Sequence, residues 1–386
     1  MSTLCGFGIV ANTLLRELTG TQLSVLGLFL FAVLLCFYIA FRDIRLSART
    51  MLAFEGLALL FVLILGAKIW SSTGFAIDWS QLTLQGATPG GALAGVVLVI
   101  FAFSGFESST ALGDEAKDPL RVIPRSVLHS VVLAGLFFIV TSYVVVLGFG
   151  ARGLSLSDNE APLTVLADAT NWRALGVAIN VGVLLSFLSC TLASINSTAR
   201  ILFSMARHGL ILEALGSAHA NNRTPHVAVG VSAFITFCVP AALYSAGFGA
   251  LESQGLLGTL CSFGFIVAYI LISIAAPAYL WSLGKLTKRS IAYAVGGVTF
   301  MVIPLLGSLG LRPGSKPLFA PDAAGLVLLA IFGAYVGIGL AWLQIQRARQ
   351  PRMVARMTSA IRNVELQFVP VAKSEGPFTA RQRRNQ

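Results

Sequence analysis

An ionisable side chain lies inside one of the most apolar stretches of the sequence. Residues 99–107 read VIFAFSGFE, so Ser104, Gly105 and Glu107 interrupt a run that otherwise suits a helix in hydrocarbon. A carboxyl group near the centre of a membrane helix costs about 3 kcal/mol, and glycine weakens the helix at the same place. Two costs at one position indicate a local unwinding that lines a polar cavity.

An unwound segment at membrane depth offers unpaired main-chain groups to a ligand. Freed N–H groups and the dipole of a helix end hold an anionic group, and freed carbonyl groups hold a cation. A small zwitterion such as an amino acid uses both. Two simpler explanations stay open: Ser104 and Gly105 could only let two helices pack closely, and Glu107 could only form a structural hydrogen bond.

The composition identifies an integral membrane protein. Of 386 residues, 56% are hydrophobic and 11% are charged, against about 25% charged in soluble domains. The mean hydropathy is +0.82. The net charge of +11 falls in loops and in the C-terminal tail, which argues against a nucleic-acid partner and for a lipid bilayer.

Nine stretches are long and apolar enough to span a membrane, since a spanning helix needs about 20 mostly apolar residues. The sequence therefore predicts a transmembrane domain over residues 1–345 and a basic cytoplasmic tail over 346–386. The predicted spans are 23–41, 51–70, 92–112, 128–149, 174–203, 227–247, 256–281, 291–311 and 323–345.

The loop charges predict the orientation of these spans. Alternate loops, together with the C-terminal tail, carry 20 lysines and arginines, and the opposite loops carry 4. Because positively charged loops stay on the cytoplasmic side, we expect a multi-pass protein of the cytoplasmic membrane with its C-terminus inside the cell.

The stretch from Phe101 to Val127 resembles a known family signature. FAFSGFESSTALGDEAKDPLRVIPRSV is similar to the sixth-helix region of the amino acid–polyamine–organocation (APC) permeases. The matching residues are Phe103, Gly105, Glu107, Asp114, Glu115, Lys117, Pro119, Arg121, Ile123 and Pro124. A second stretch resembles the eighth helix of the family and the loop after it, through Asn196, Arg200, Arg207, Gly209, Thr224 and Pro225. Residues 42–55 resemble the link between the fourth and fifth helices.

The resemblance implies an all-α integral membrane protein with the LeuT-like inverted repeat of five plus five helices, usually followed by two more. The nine spans then correspond to helices four to twelve, and residues 1–18 to the end of helix three. The first repeat is incomplete, and nothing matches the glycine-rich break that the family carries in its first helix.

The resemblance implies a secondary active transporter of amino acids or related amines. It would work by alternating access, coupled to protons or by exchange. The alternative is a truncated family member without transport, or a partner subunit. The resemblance also implies a substrate site in which Phe101 closes over the ligand, Ser104, Gly105 and Phe106 present main-chain groups, and Glu107 carries a proton.

Further polar residues are candidates for the site or for a gate. The hydroxyl groups of Ser186 and Ser189 could contact substrate or could join helices. Glu55 is expected to pair with Arg45, Arg49 or Arg125. The predicted inner gate, whose alternative is a solvated loop, consists of Asp114, Glu115, Lys117 and Arg121.

The sequence indicates neither an enzyme nor a cofactor protein. HExxH and GxSxG motifs are absent, and the histidines and five cysteines show no metal-ligand spacing. Gly333 and Gly337 form a weak GxxxG pattern that leaves a homo-oligomer open. The identity of the amino acid or amine is not readable from the sequence, and neither is the choice between symport and exchange.

Overall fold

All regular secondary structure in the described residues is helical. The computed structural model describes residues 1–42, 44–88, 99, 102–156, 162–170, 172–219, 224–308 and 323–349. Two 3-10 helices cover Phe106–Glu115 and Glu213–Gly216. The α-helices are α1 (Ser2–Thr19), α2 (Val25–Arg42), α3 (Ile44–Ser72), α4 (Trp79–Leu82), α5 (Pro119–Gly150), α6 (Pro162–Ala169), α7 (Arg173–Arg207), α8 (His226–Ser245), α9 (Ala250–Ser282), α10 (Lys288–Ser308) and α11 (Ala323–Arg349).

Within these residues, seven helices are long and apolar enough to cross a membrane, namely α2, α3, α5, α7, α8, α9 and α11. They overlap seven of the predicted spans, and the expectation of an all-α membrane protein is confirmed. The predicted span 291–311 overlaps α10. Residues 92–98, 100 and 101 of the span 92–112 lie outside the described residues. The total of nine spans and the domain limit at residue 345 stay predictions.

Helix α7 lies at the centre of the bundle. Half of its most apolar window is buried, whereas none of the corresponding window of α11 is buried. One buried cluster joins Leu192 and Ile195 of α7 to α1, α2 and α8. A second cluster joins Ile179 of α7 to α3, α5 and α6. A helix that is apolar on every side is expected in such a position, and α7 therefore links the two halves of the core.

Small residues let the neighbours of α7 approach closely. A Cβ atom added at Gly182 would lie 3.0 Å from the backbone Cα atom of Ala58 on α3. A Cβ atom added at Gly6 of α1 would lie 2.5 Å from the ring of Phe187. Membrane helices associate through such close packing, because lipid tails are as apolar as the side chains.

The C-terminal end of α7 is closed by a residue of the second family-like stretch. Gly209 has a positive φ of 77°. Its N–H group donates to the Ala206 carbonyl oxygen, and the Leu210 N–H group donates to the Met205 carbonyl oxygen. This pair of bonds is a Schellman motif, in which glycine avoids the steric cost of the left-handed conformation.

Candidate functional site

The backbone leaves helical geometry at Ser104 and Gly105, just before Glu107. Ala102 and Phe103 are helical, Ser104 and Gly105 form a turn, and a 3-10 helix begins at Phe106. Gly105 has a φ of +101°, a conformation that other residues rarely adopt. The Ser108 N–H group donates to the Gly105 carbonyl oxygen over 3.0 Å, which starts the 3-10 turn.

The 3-10 segment Phe106–Glu115 has ten residues, whereas such segments rarely exceed about four. Long 3-10 stretches often mark a functional hinge, because their hydrogen bonds are less well aligned than those of an α-helix. The residues that weaken the helix in the sequence therefore occupy a real discontinuity in the backbone.

Glu107 is held by a residue from a distant part of the chain. The Tyr269 hydroxyl on α9 donates a hydrogen bond of 2.6 Å to the Glu107 Oε2 atom. The Tyr269 ring lies 5.7 Å from the ring of Phe106 and 5.8 Å from that of Phe265. These two contacts fix the phenol ring, so α9 positions the carboxyl group just after the break.

Ser109, two residues after Glu107, has a buried hydroxyl oxygen without a hydrogen-bond partner among the described residues. A buried polar group of this kind usually has a partner, so this hydroxyl is available to a ligand or to water. Sequence reasoning did not select Ser109 or Tyr269. The signal for Tyr269 was a phenol hydroxyl in the middle of the apolar helix α9, since a buried tyrosine hydroxyl usually has a partner.

The two serines predicted for the site bond to α3. The Ser186 hydroxyl donates to the Glu55 Oε2 atom over 2.9 Å, and the Ser189 hydroxyl donates to the Met51 carbonyl oxygen over 3.3 Å. The expected pairing of Glu55 with an arginine stays a prediction, because the Arg45 side chain lies outside the description. Contact of either serine with substrate stays a prediction.

Helix α7 joins the surroundings of the two carboxyl groups. It packs against α3, which carries Glu55, and against the 3-10 segment, which carries Glu107. Helix α9 joins this group through the hydrogen bond from Tyr269 to Glu107. Residues from α3, α7, α9 and the 3-10 segment thus lie in one region of the bundle.

The remaining predicted residues are only partly described. Phe101 lies outside the described residues. The backbone of Asp114 and Glu115 ends the 3-10 segment, and their side chains are not described. Lys117 and Arg121 are exposed near the start of α5. The inner gate therefore stays a prediction.

Among the residues covered by the structure, no group of three His, Cys, Asp or Glu side chains could hold a metal ion. Outside the apolar spans, hydrogen bonding lowers the pKa of the exposed Asp78 carboxyl. The Ser80 side chain is the largest cause and Gln81 the second. Asp78 caps the short helix α4 and does not belong to the site.

The bundle of long apolar helices defines the class of this molecule. It is a multi-pass membrane protein, in which a turn at Ser104 and Gly105 precedes a 3-10 segment. Residues 15–310 match the model of the amino acid permease family. The chain belongs to this family, whose name describes transporters and not enzymes.

Three similar proteins are transporters by name. The branched-chain amino acid permease BcaP of Bacillus subtilis (strain 168) is 27% identical over 48% of this chain and 38% of its own length. The mitochondrial cationic amino acid transporter 3 of Arabidopsis thaliana is 28% identical over 55% of this chain and 34% of its own. The low-affinity putrescine importer PlaP of Escherichia coli (strain K12) is 25% identical over 56% of this chain and 45% of its own length. The matched part spans less than half the length of each relative.

Proposed function

We propose that this protein is a secondary active transporter of amino acids or related amines in the cytoplasmic membrane. The observation that carries the proposal is the interruption at Ser104 and Gly105 in a chain of the amino acid permease family. The three relatives are named for a branched-chain amino acid, cationic amino acids and a diamine. These substrates share an amino group, so the proposal covers the class and not one compound.

The break is suited to the charges of such a substrate. The N–H groups at the start of the 3-10 segment favour a carboxylate, because a helix N-terminus carries a partial positive charge. Carbonyl groups at the end of the preceding helical turn favour an ammonium group. In the proposed site Ser104, Gly105 and Phe106 supply these groups, and Phe101 covers the bound substrate.

Glu107 is the proposed proton carrier. Its carboxyl group is half-buried and accepts a hydrogen bond from Tyr269. A change in its protonation would alter that bond and thereby the link between the broken helix and α9. Such a coupling between charge and helix position is what alternating access needs. Glu55, which accepts from Ser186, is a second candidate.

The proposed inner gate combines acidic residues at the end of the 3-10 segment with basic residues at the start of α5. Asp114 and Glu115 end the 3-10 segment, and Lys117 and Arg121 follow within one to two helical turns. In the proposed orientation they lie on the cytoplasmic side, as does the C-terminal tail. Opposite charges at this spacing could form and release ion pairs when the broken helix moves.

Uptake by purified protein tests the proposal. The chain is reconstituted in proteoliposomes, and uptake of labelled isoleucine, arginine and putrescine is measured with and without a pH gradient. We expect uptake of at least one compound and a response to the gradient. No uptake of any of the three would contradict the proposal.

The variant Glu107→Gln separates coupling from transport. We expect its residual uptake to be independent of the pH gradient, because an amide cannot carry the proton. Glu252→Gln is the matched control, since Glu252 is an exposed carboxyl in the first turn of α9. An unchanged pH response in Glu107→Gln would remove the coupling role.

A further inference from the structure

An apolar groove lies between α3 and α5, and none of its lining residues belongs to the candidate site. Its volume is about 200 Å³. The floor includes Leu65 and Ile69, each 1% exposed, and the rim includes Leu63 at 47% and Val140 at 51% exposed. The floor is therefore part of the packed core, and the rim is open to the surroundings of the bundle.

The groove presents hydrocarbon alone to a ligand. Its two lining side chains with polar atoms are Thr141 and Trp70. The Thr141 hydroxyl donates to the Phe137 carbonyl oxygen over 2.7 Å. The Trp70 indole N–H group donates to the Ala76 carbonyl oxygen over 3.3 Å. Both polar groups are thus satisfied within the protein. Water finds no hydrogen-bond partner in such a space, whereas an alkyl chain makes favourable dispersion contacts with the apolar walls.

A cation lies at one end of the groove. The Arg152 guanidinium donates to the Gly148 carbonyl oxygen over 3.0 Å and to the Ser72 hydroxyl over 3.4 Å. Ser72 lies one helical turn beyond Ile69, and a Cβ atom added at Gly148 would lie 3.0 Å from Ile69. The guanidinium is therefore within about one turn of the groove floor.

This cation has capacity for another ligand. A guanidinium carries five N–H donors, and in the described part of the chain these two contacts involve one donor on each terminal nitrogen. The planar fork suits a phosphate group. Trp70 packs edge-on against Phe75 at the same end, with ring centroids 5.4 Å apart, and aromatic side chains are enriched at the level of lipid headgroups.

We propose that the groove between α3 and α5 binds one acyl chain of a glycerophospholipid, whose phosphate group is bound by Arg152. Both walls are apolar spanning helices, so the open side of the groove faces the acyl chains of the bilayer. The apolar floor and the cation at its end match the order of chain and phosphate in a phospholipid. This site is independent of the proposed transport function.

Native mass spectrometry tests the proposal. The protein is reconstituted in vesicles of palmitoyl-oleoyl-phosphatidylglycerol, extracted in detergent and washed. We expect one retained lipid per protein. Ala67→Phe fills the groove and should reduce retention at least tenfold. Ala276→Phe, a matched substitution at an exposed alanine of α9, should leave retention unchanged. Equal retention by both variants would overturn the proposal, as would a wild-type protein that retains no lipid.

A second measurement does not depend on a variant that fills the groove. The measured quantity is the fluorescence of Trp70, which becomes the single tryptophan when Trp79, Trp172, Trp281 and Trp342 are changed to phenylalanine. The protein is placed in phosphatidylcholine vesicles that contain a minor fraction of brominated phosphatidylglycerol as the quencher. A bound lipid should quench Trp70 about tenfold more than its mole fraction allows, and Arg152→Gln should remove the excess. Quenching proportional to mole fraction would show ordinary bilayer contact and contradict the site.

Discussion

At the scale of single residues, the contact between Tyr269 and Glu107 connects the 3-10 segment to α9. A hydrogen bond to a charged group contributes about 1.5–3 kcal/mol, which is enough to bias the position of one helix. The sequence identified the carboxyl group because an acid in an apolar span is costly. The donor lies 162 residues away, so only the folded chain could identify it.

The variant Tyr269→Phe should change the pH response of uptake. Without the hydroxyl donor Glu107 loses its hydrogen bond to α9, so the dependence of uptake on a pH gradient should decrease. Uptake measured with and without the gradient tests this expectation. Tyr279→Phe on the same helix is the control, and an equal profile for both variants would contradict the role of the contact.

The hydrogen bonds of Asp78 predict that acid destabilises the short helix α4, which lies outside the apolar spans. Hydrogen bonds from Ser80 and Gln81 lower the pKa of its carboxyl. Because the folded pKa is below that of the unfolded chain, the stabilisation is fully present above about pH 4 and is lost as the pH falls through the lowered value. Asp78→Ala should increase hydrogen exchange of residues 76–88 at pH 7 but not at pH 2. An equal increase at both values would contradict this.

At the scale of elements, one backbone position sets the turn that precedes the 3-10 segment. Gly105 has a φ of +101°, and an added Cβ atom has its nearest neighbour, the Ser108 hydroxyl, at 3.7 Å. Space around the residue is therefore adequate, and the constraint is the backbone conformation itself.

Gly105→Ala should cost about 1–2 kcal/mol at the break, because residues with a Cβ atom are strained at positive φ. We expect uptake to fall about tenfold while the protein still folds. Gly255→Ala in α9, where nothing lies within 4 Å of the added atom, is the control. Uptake by Gly105→Ala that equals the control would show that the break does not need glycine.

The packing of α3 on α7 gives a prediction of stability. Gly182→Ala should destabilise the protein by about 1–3 kcal/mol, because the new Cβ atom would lie 3.0 Å from the backbone of Ala58. Gly56→Ala in α3 has open space and should be neutral or gain up to about 1 kcal/mol of helix propensity. Thermal unfolding in detergent compares the two variants. Equal melting temperatures would contradict the close approach of α3 and α7 at Gly182.

At the scale of the whole molecule, the charges of the loops predict the orientation. The excess of lysine and arginine on one set of loops should hold those loops and the C-terminal tail in the cytoplasm. Alkaline phosphatase fused after residue 349 should be inactive, and the same enzyme inserted in the loop 83–88 should be active. The reverse pattern would show that the protein is inserted in the opposite sense.

Much of the fold could be predicted from the sequence. Long apolar runs need helical hydrogen bonding in a bilayer, because unpaired main-chain groups are costly in hydrocarbon. For this reason α2, α3, α5, α7, α8, α9 and α11 overlap predicted spans. The interruption at Ser104 and Gly105 was also readable, since glycine and a carboxyl group in one apolar run oppose a regular helix.

The partners of the site residues were not readable. Glu55 accepts a hydrogen bond from Ser186, 131 residues away, and the sequence did not suggest this partner. Helical periodicity tells which residues share one face, but the neighbour that this face meets depends on how the helices pack.

By itself the sequence determined an all-α membrane protein, because burial of main-chain polar groups in lipid constrains every span locally. The tertiary structure alone decided that Tyr269 holds Glu107, that Ser186 holds Glu55 and that α3 and α5 enclose an apolar groove. These contacts join residues far apart in the chain. They follow from the close packing of particular side chains between helices, which no local pattern specifies.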